Sequence, residues 1–378
     1  MRYSTTILVL NKKYTEGPRR TLMNNFTQKL LLLACAFSFF TLPTLHTHTN
    51  IDHNPLANEA SSFENNNDRG KNDPLFNTKF LAKSSKVAHF LKEHEGFNPI
   101  EFTTPDSLTL EGLARTSPHS SYTVVVCAGF CPGVQTGMAT LIRMLPKECD
   151  IYFFNYRGKE KSQGSSFNPY GYGPGEQTDI VSLLDYILKR KPSQPTILYG
   201  ICGGGHHVAK IAGDTSKRDK YNICGCIVDS IPVSLYDTVN RLPDYLAKQW
   251  SKKTRLACVL APFYKSLLTV TKNLLFPSFL ENIRIPFTNR YLFPNPYKKQ
   301  TITQTSYNCH LLAFHANKDR LSSFEKAKKW FQKIKTGTTH TKKFVTFDET
   351  GHALNHIKHQ KAYKESIDNF FNRLKPSL

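Results

Sequence analysis

Acidic side chains are scarce in this chain of 378 residues: 29 Asp and Glu stand against 50 Lys and Arg, a formal charge of +21. No recognition motif accompanies the basic excess, and the Lys and Arg residues are scattered, so nucleic acid is not read as the partner. The excess reads instead as a solvated basic surface, or as attraction to an anionic membrane surface. Zinc-ligand spacing is missing, as are internal repeats, and neither a metal nor a cofactor is expected. The nine cysteines are odd in number and irregularly spaced, mostly within apolar runs, which excludes a disulfide framework and makes most of them small core residues. Cys224-Gly225-Cys226 falls inside one apolar strand-like run and is not read as a bridge.

A membrane-spanning run is also lacking in the N-terminal stretch. The apolar segment at residues 30–40, extending weakly to 45, is shorter than the roughly 20 residues a spanning helix needs and suits a signal-peptide core. Met23 would make a natural start, because residues 23–29 form a good leader ending in Lys29. No small-x-small cleavage site follows, so a cleaved signal peptide and an uncleaved signal anchor both stay open, with export or anchoring expected. Leu32-Leu33-Ala34-Cys35 loosely matches a lipoprotein box, but the residues after Cys35 stay apolar, which argues against lipidation.

What is present is a globular composition, 39% hydrophobic and 21% charged. Residues 1–49 form the signal or anchor segment. Residues 50–97 comprise a spacer rich in Asn, Asp and Ser without apolar periodicity, then a short helix from about residue 79. At 98–230 short apolar runs alternate with helical patterns: a hairpin around Pro105-Asp106-Ser107, strands near 122–128, 150–155, 196–199 and 223–228, and helices near 138–145, 177–190 and 206–212. Buried strands alternating with helices predict an α/β protein with a mostly parallel central sheet and helices on both faces. The rhythm breaks over 231–308, a basic, aromatic, helix-prone stretch that reads as a cap or lid inserted over the carboxyl edge of the sheet. It resumes over 309–378 with strands near 309–315 and 343–347 and helices near 322–334 and 362–374.

The chemistry concentrates at Gly200-Ile201-Cys202-Gly203-Gly204, between a predicted strand and a predicted helix. A sharp strand-to-helix turn holds its central residue in a strained conformation that only small neighbours permit, which accounts for Gly200 and Gly204. The turn lifts Cys202 above the sheet edge at a helix N-terminus, where the dipole favours a thiolate. A nucleophile needs a base and the base an orienting acid, and two later strand exits supply them in order: Asp319 in His315-Ala316-Asn317-Lys318-Asp319, then His352 in Asp348-Glu349-Thr350-Gly351-His352. The backbone N–H groups of Gly203 and Phe130 are the expected oxyanion donors. His206-His207 invites a metal reading, but one ring is expected to face the sheet and the other solvent, so none is assigned.

From about residue 98 to its end the chain resembles the α/β-hydrolase superfamily. The resemblance rests on Phe102-Thr103-Thr104-Pro105-Asp106, Ala128-Gly129-Phe130, Asn155-Tyr156-Arg157-Gly158 followed by Ser162 and Gly164, the elbow, Asp319 and His352. It implies the α/β-hydrolase fold with a helical cap and a Cys202-His352-Asp319 triad. Two departures stand out. Most members carry serine where Cys202 stands, and a cysteine elbow is similar to those of dienelactone hydrolases and polyhydroxyalkanoate synthases; Ala128 stands where histidine is usual before the oxyanion glycine. The activity implied is hydrolysis of an ester or thioester of a small-molecule or lipid-like acyl group through an acyl-cysteine. Acyl transfer on the same fold, and a catalytically inactive interaction protein, are the alternatives. Oligomeric state is not legible.

Overall fold

The continuous apolar runs become the middle of one sheet. The computed structural model describes residues 84–129, 139–164, 174–251, 255–275 and 300–374; the signal or anchor segment and the Asn-rich spacer lie outside them. Eight strands form the main sheet, in the order β1-β2-β4-β3-β5-β6-β8-β10. They are β1 (Asn98–Thr103), β2 (Thr109–Arg115), β3 (Tyr122–Cys127), β4 (Cys149–Phe154), β5 (Thr196–Ile201), β6 (Ile223–Asp229), β8 (His310–Ala316) and β10 (Lys342–Phe347). The predicted hairpin is β1–β2, antiparallel, and β2 meets β4 antiparallel; the remaining neighbours run parallel. Two short strands, β7 (Ser306–Tyr307) and β9 (Lys335–Thr336), pair separately.

Every residue of β4 and β5 is buried, so both faces of the sheet are covered, as the unbroken apolar runs require. The covering helices are α1 (Ser84–Glu95), α2 (Pro174–Leu188), α3 (Gly203–Ala212), α4 (Thr215–Lys220), α7 (Phe324–Lys333), α8 (Asn355–Lys358) and α9 (Gln360–Leu374). Between β6 and β8 the inserted stretch contains α5 (Leu235–Ser251) and α6 (Arg255–Leu275), which pack on each other and are tied by Lys265 Nζ to Asp244 Oδ1 at 2.6 Å. Among the described residues no helix is long and apolar enough to cross a membrane.

The motif Asn155-Tyr156-Arg157-Gly158, at the carboxyl end of β4, is structural glue. Arg157 donates to Asp179 on α2 at 2.9 and 2.7 Å and to Asp106 in the β1–β2 turn at 2.8 and 3.3 Å, clamping hairpin to helix. The Ser162 hydroxyl donates to the Asn155 carbonyl at 2.8 Å and accepts from Glu111 N–H at 3.0 Å, which fixes the loop after β4 against β2.

The helical stretch expected near 138–145 is, in its described part, α-helical at Ala139 and a 3-10 helix at Thr140–Arg143. One sequence expectation needs correction. His206 and His207 are both fully buried, rather than one facing solvent. The chain leaving β6 passes over α3, and the Pro232 carbonyl lies 2.8 Å from His206 Nδ1. Burial pushes the pKa of both rings down, that of His206 to about 3.

Candidate active site

Cys202 sits where β5 becomes α3, with φ +53° and ψ −124°, a conformation side-chain-bearing residues rarely adopt. The turn is tight enough to exclude side chains on both flanks. A Cβ on Gly200 would lie 2.5 Å from the Gly204 carbonyl, and one on Gly204 would lie 2.2 Å from the Cys127 carbonyl oxygen of β3. Gly129, just beyond β3, leaves room for the cysteine itself: a Cβ there would meet Cys202 Cβ at 2.9 Å. The Gly203 N–H belongs to the first turn of α3, where an amide has no intrahelical acceptor. Phe130, the second expected donor, lies outside the described residues.

Asp319 and His352 come together from separate strand exits. Asp319 follows β8 and His352 follows β10, and His352 Nδ1 lies 2.8 Å from Asp319 Oδ2. The other carboxylate oxygen accepts Leu321 N–H and Ser322 N–H, both at 2.9 Å, so the carboxylate cannot rotate without losing two donors. Burial alone would raise the Asp319 pKa, but the adjoining His352 ring outweighs it and holds the carboxyl below its ordinary value. Burial alone would lower the His352 pKa, yet Asp319, and behind it Cys202, raise it well above the usual imidazole range. His352 Nε2 is buried and makes no well-formed hydrogen bond among the described residues.

Three residues that carry no sequence signature complete the arrangement. The Ser230 hydroxyl, just after β6, accepts Ala353 N–H at 2.9 Å and donates to Asp229 Oδ1 at 2.9 Å. Asp229 also takes Asn355 Nδ2 at 2.6 Å and the Tyr363 hydroxyl at 3.0 Å, and its backbone carbonyl accepts Cys202 N–H at 2.9 Å. The loop bearing His352 and the elbow bearing Cys202 are therefore both anchored on the end of β6. Tyr245, from α5, packs its ring edge-on to that of His352 at 6.4 Å between centroids, so α5 lies against the histidine. A polar residue at a strand end was the only hint of Asp229, and nothing in the chain marked Tyr245.

No group of three or more His, Cys, Asp or Glu side chains that could hold a metal occurs among the described residues. Seven cysteines are described, all free. Cys224 and Cys226 do not bridge, and burial pushes the Cys149, Cys224 and Cys309 thiols up to about 12 and those of Cys127 and Cys226 upward as well.

Comparison with known proteins places the fold. No family model matches the chain, and no curated protein matches it significantly. Among solved structures, an esterase of Pyrococcus furiosus is similar to it with a TM-score of 0.51 and 16% identity, over 73% of this chain and 90% of that one. Est1E from Butyrivibrio proteoclasticus, solved with ferulic acid bound, aligns with a TM-score of 0.49 and 16% identity over 73% of this chain and 98% of that one. An α/β serine hydrolase homologue from Coxiella burnetii gives 0.46 and 16% over 72% and 96%. Identity at this level speaks to fold. With the strand order, the strained elbow and the two strand-exit loops, the chain has the α/β-hydrolase fold.

Proposed function

We propose that this protein is an acyl hydrolase acting on esters or thioesters through an acyl-Cys202 intermediate. The observation that carries the reading is the convergence of a strained elbow cysteine with a buried His352–Asp319 pair from two later strand exits. His352 Nε2, made a stronger base by Asp319, takes the thiol proton as the sulfur attacks the acyl carbonyl carbon. The carbonyl oxygen becomes an oxyanion held by the Gly203 N–H and, on the resemblance stated above, by that of Phe130. Collapse breaks the bond to the leaving group, which departs with the proton from His352. Water then gives a proton to His352 and attacks the thioester carbon; the thiolate leaves, recovers the proton and a carboxylic acid is released. Asp319 holds the imidazole tautomer and stabilises the imidazolium throughout.

Acyl transfer, with an alcohol in place of that water, uses the same steps. Near-complete burial of Cys202 (7% exposed) and His352 (4%) favours keeping it as a second reading. Short-chain ester and thioester hydrolysis by the full chain, with Cys202→Ala and His352→Ala beside it, tests the proposal. Both variants are expected to lose at least about a thousandfold in kcat/KM; equal rates in all three proteins would refute it. Product analysis with a competing alcohol separates hydrolysis from transfer. Export or membrane anchoring through residues 30–45 belongs to the same reading, since an anchored hydrolase would meet lipid-like esters at a surface that its basic charge favours.

A further inference from the structure

A cavity of about 700 Å³ opens between α5, α6 and the loop after β8. Four cations line it, Arg241 and Lys248 from α5, Lys265 from α6 and Arg320 from the loop, against a single acid, Asp244, already paired with Lys265 at 2.6 Å. Arg241, Lys248 and Arg320 have no acidic partner among the described residues. A chain of charge +21 carries many surface cations, but here three separate elements direct them at one concavity. That concavity adjoins the candidate site at two points. Arg320 follows Asp319 directly in the chain, and Tyr245 forms part of the cavity wall while stacking edge-on against His352. The volume falls within the range of ordinary small-molecule sites.

We infer that the cavity is the subsite for an anionic group on the substrate, so that the natural ester or thioester carries a phosphate or carboxylate remote from the scissile bond. This rests on the acyl-hydrolase reading and specifies its substrate class. An anion in the cavity would meet several positive charges, and the two guanidinium groups offer forked donors suited to either oxyanion. The field of converging cations also raises the local concentration of an anionic substrate, an effect that salt weakens.

The test compares three hexanoyl-length thioesters at low salt, using the full chain and an Arg241→Gln/Lys248→Gln variant. One is a neutral hexanoyl thioester of N-acetylcysteamine, one carries a phosphate on the leaving side (4′-phosphopantetheine), and one a carboxylate at the acyl terminus (adipoyl). The intact chain is expected to prefer one anionic thioester over the neutral one by about tenfold or more in kcat/KM, with the variant and 0.5 M salt each erasing most of that ratio. Which anionic thioester is preferred says whether the leaving group or the acyl group occupies the cavity. Hydrolysis of all three at similar rates, insensitive to the variant, overturns the inference while sparing the acyl-hydrolase reading. If no thioester or ester is hydrolysed, that reading falls, and calorimetric titration with 4′-phosphopantetheine and with adipate decides the cavity separately: binding lost in the variant supports the anion subsite, and no binding to the intact chain overturns it.

Discussion

Replacing Asp319 by Asn tests the candidate site through a single proton. In the protein one carboxylate oxygen accepts the Leu321 and Ser322 amides at 2.9 Å each, and the other faces His352 Nδ1 at 2.8 Å. The two backbone donors will hold the asparagine carbonyl, turning its NH₂ toward the ring. Nδ1 must then accept, which puts the imidazole proton on Nε2, the nitrogen that has to receive a proton from Cys202. Restoring the productive tautomer means flipping the amide and leaving two buried N–H groups unsatisfied, at about 1–3 kcal/mol each and about 4 kcal/mol together. At 1.36 kcal/mol per decade that is on the order of a thousandfold, and loss of the carboxylate facing the imidazolium adds to it. A fall of about 10³–10⁴ in kcat/KM is therefore expected, with KM little changed; serine-protease triads lose a similar factor by this route. The assay is ester and thioester hydrolysis over pH 5.5–9, with circular dichroism and a melting curve to verify that the variant folds. Activity within threefold of the parent, in a folded variant, would refute the proton-placement argument.

Alkylation at pH 6 should mark Cys202 first among the described cysteines apart from exposed Cys258, since burial pushes the five others up; in a Cys258→Ser background, mass spectrometry should find the label at Cys202 and find it reduced in His352→Ala. Gly204→Ala should lower stability by about 3 kcal/mol or more, seen as a lower denaturation midpoint, because its Cβ would meet two backbone oxygens of the β3 exit at 2.2 and 2.4 Å. Burial raises the Asp229 pKa from 3.8 to about 6, against the opposing hydrogen bonds from Asn355, Ser230 and Tyr363. Its contribution to stability is thus fully present below the unfolded value and is lost as pH rises through about 6. Asp229→Asn should remove a slope worth about 3 kcal/mol between pH 4 and 6, whereas parallel unfolding curves for the two proteins would count against it.

The central sheet and the three candidate residues were legible because their signals are local. A buried parallel strand must be apolar along its whole length, and a strand-to-helix elbow must be flanked by glycine, so β5, Gly200 and Gly204 announce Cys202 without reference to the rest of the chain. Asp319 and His352 follow because parallel strands exit at one edge. The misreading arose where tertiary contact decides: one ring of the His206-His207 pair was expected to face solvent, but the chain leaving β6 brings the Pro232 carbonyl onto His206, and both rings are buried. Tyr245 lies on a helix whose periodicity says which face is apolar but not which loop it covers.

What no local pattern could reveal is how the strain is held. Three of the seven non-glycine residues with positive φ among those described, Cys202 (+53°), Ser230 (+52°) and Ala353 (+58°), meet at one junction. Each such residue costs on the order of 1–3 kcal/mol and persists only where its surroundings over-determine it. Here they do so reciprocally. Cys202 N–H donates to the Asp229 carbonyl, Ala353 N–H donates to the Ser230 hydroxyl, and that hydroxyl donates to the Asp229 carboxylate. Asn355 and Tyr363, both beyond His352 in the chain, close on the same carboxylate. The elbow and the histidine loop are therefore referenced to one point at the end of β6 rather than to each other. Motion of either loop must break hydrogen bonds to a buried acid, which explains how a thiol and an imidazole without a well-formed mutual hydrogen bond can still be held at one sheet edge.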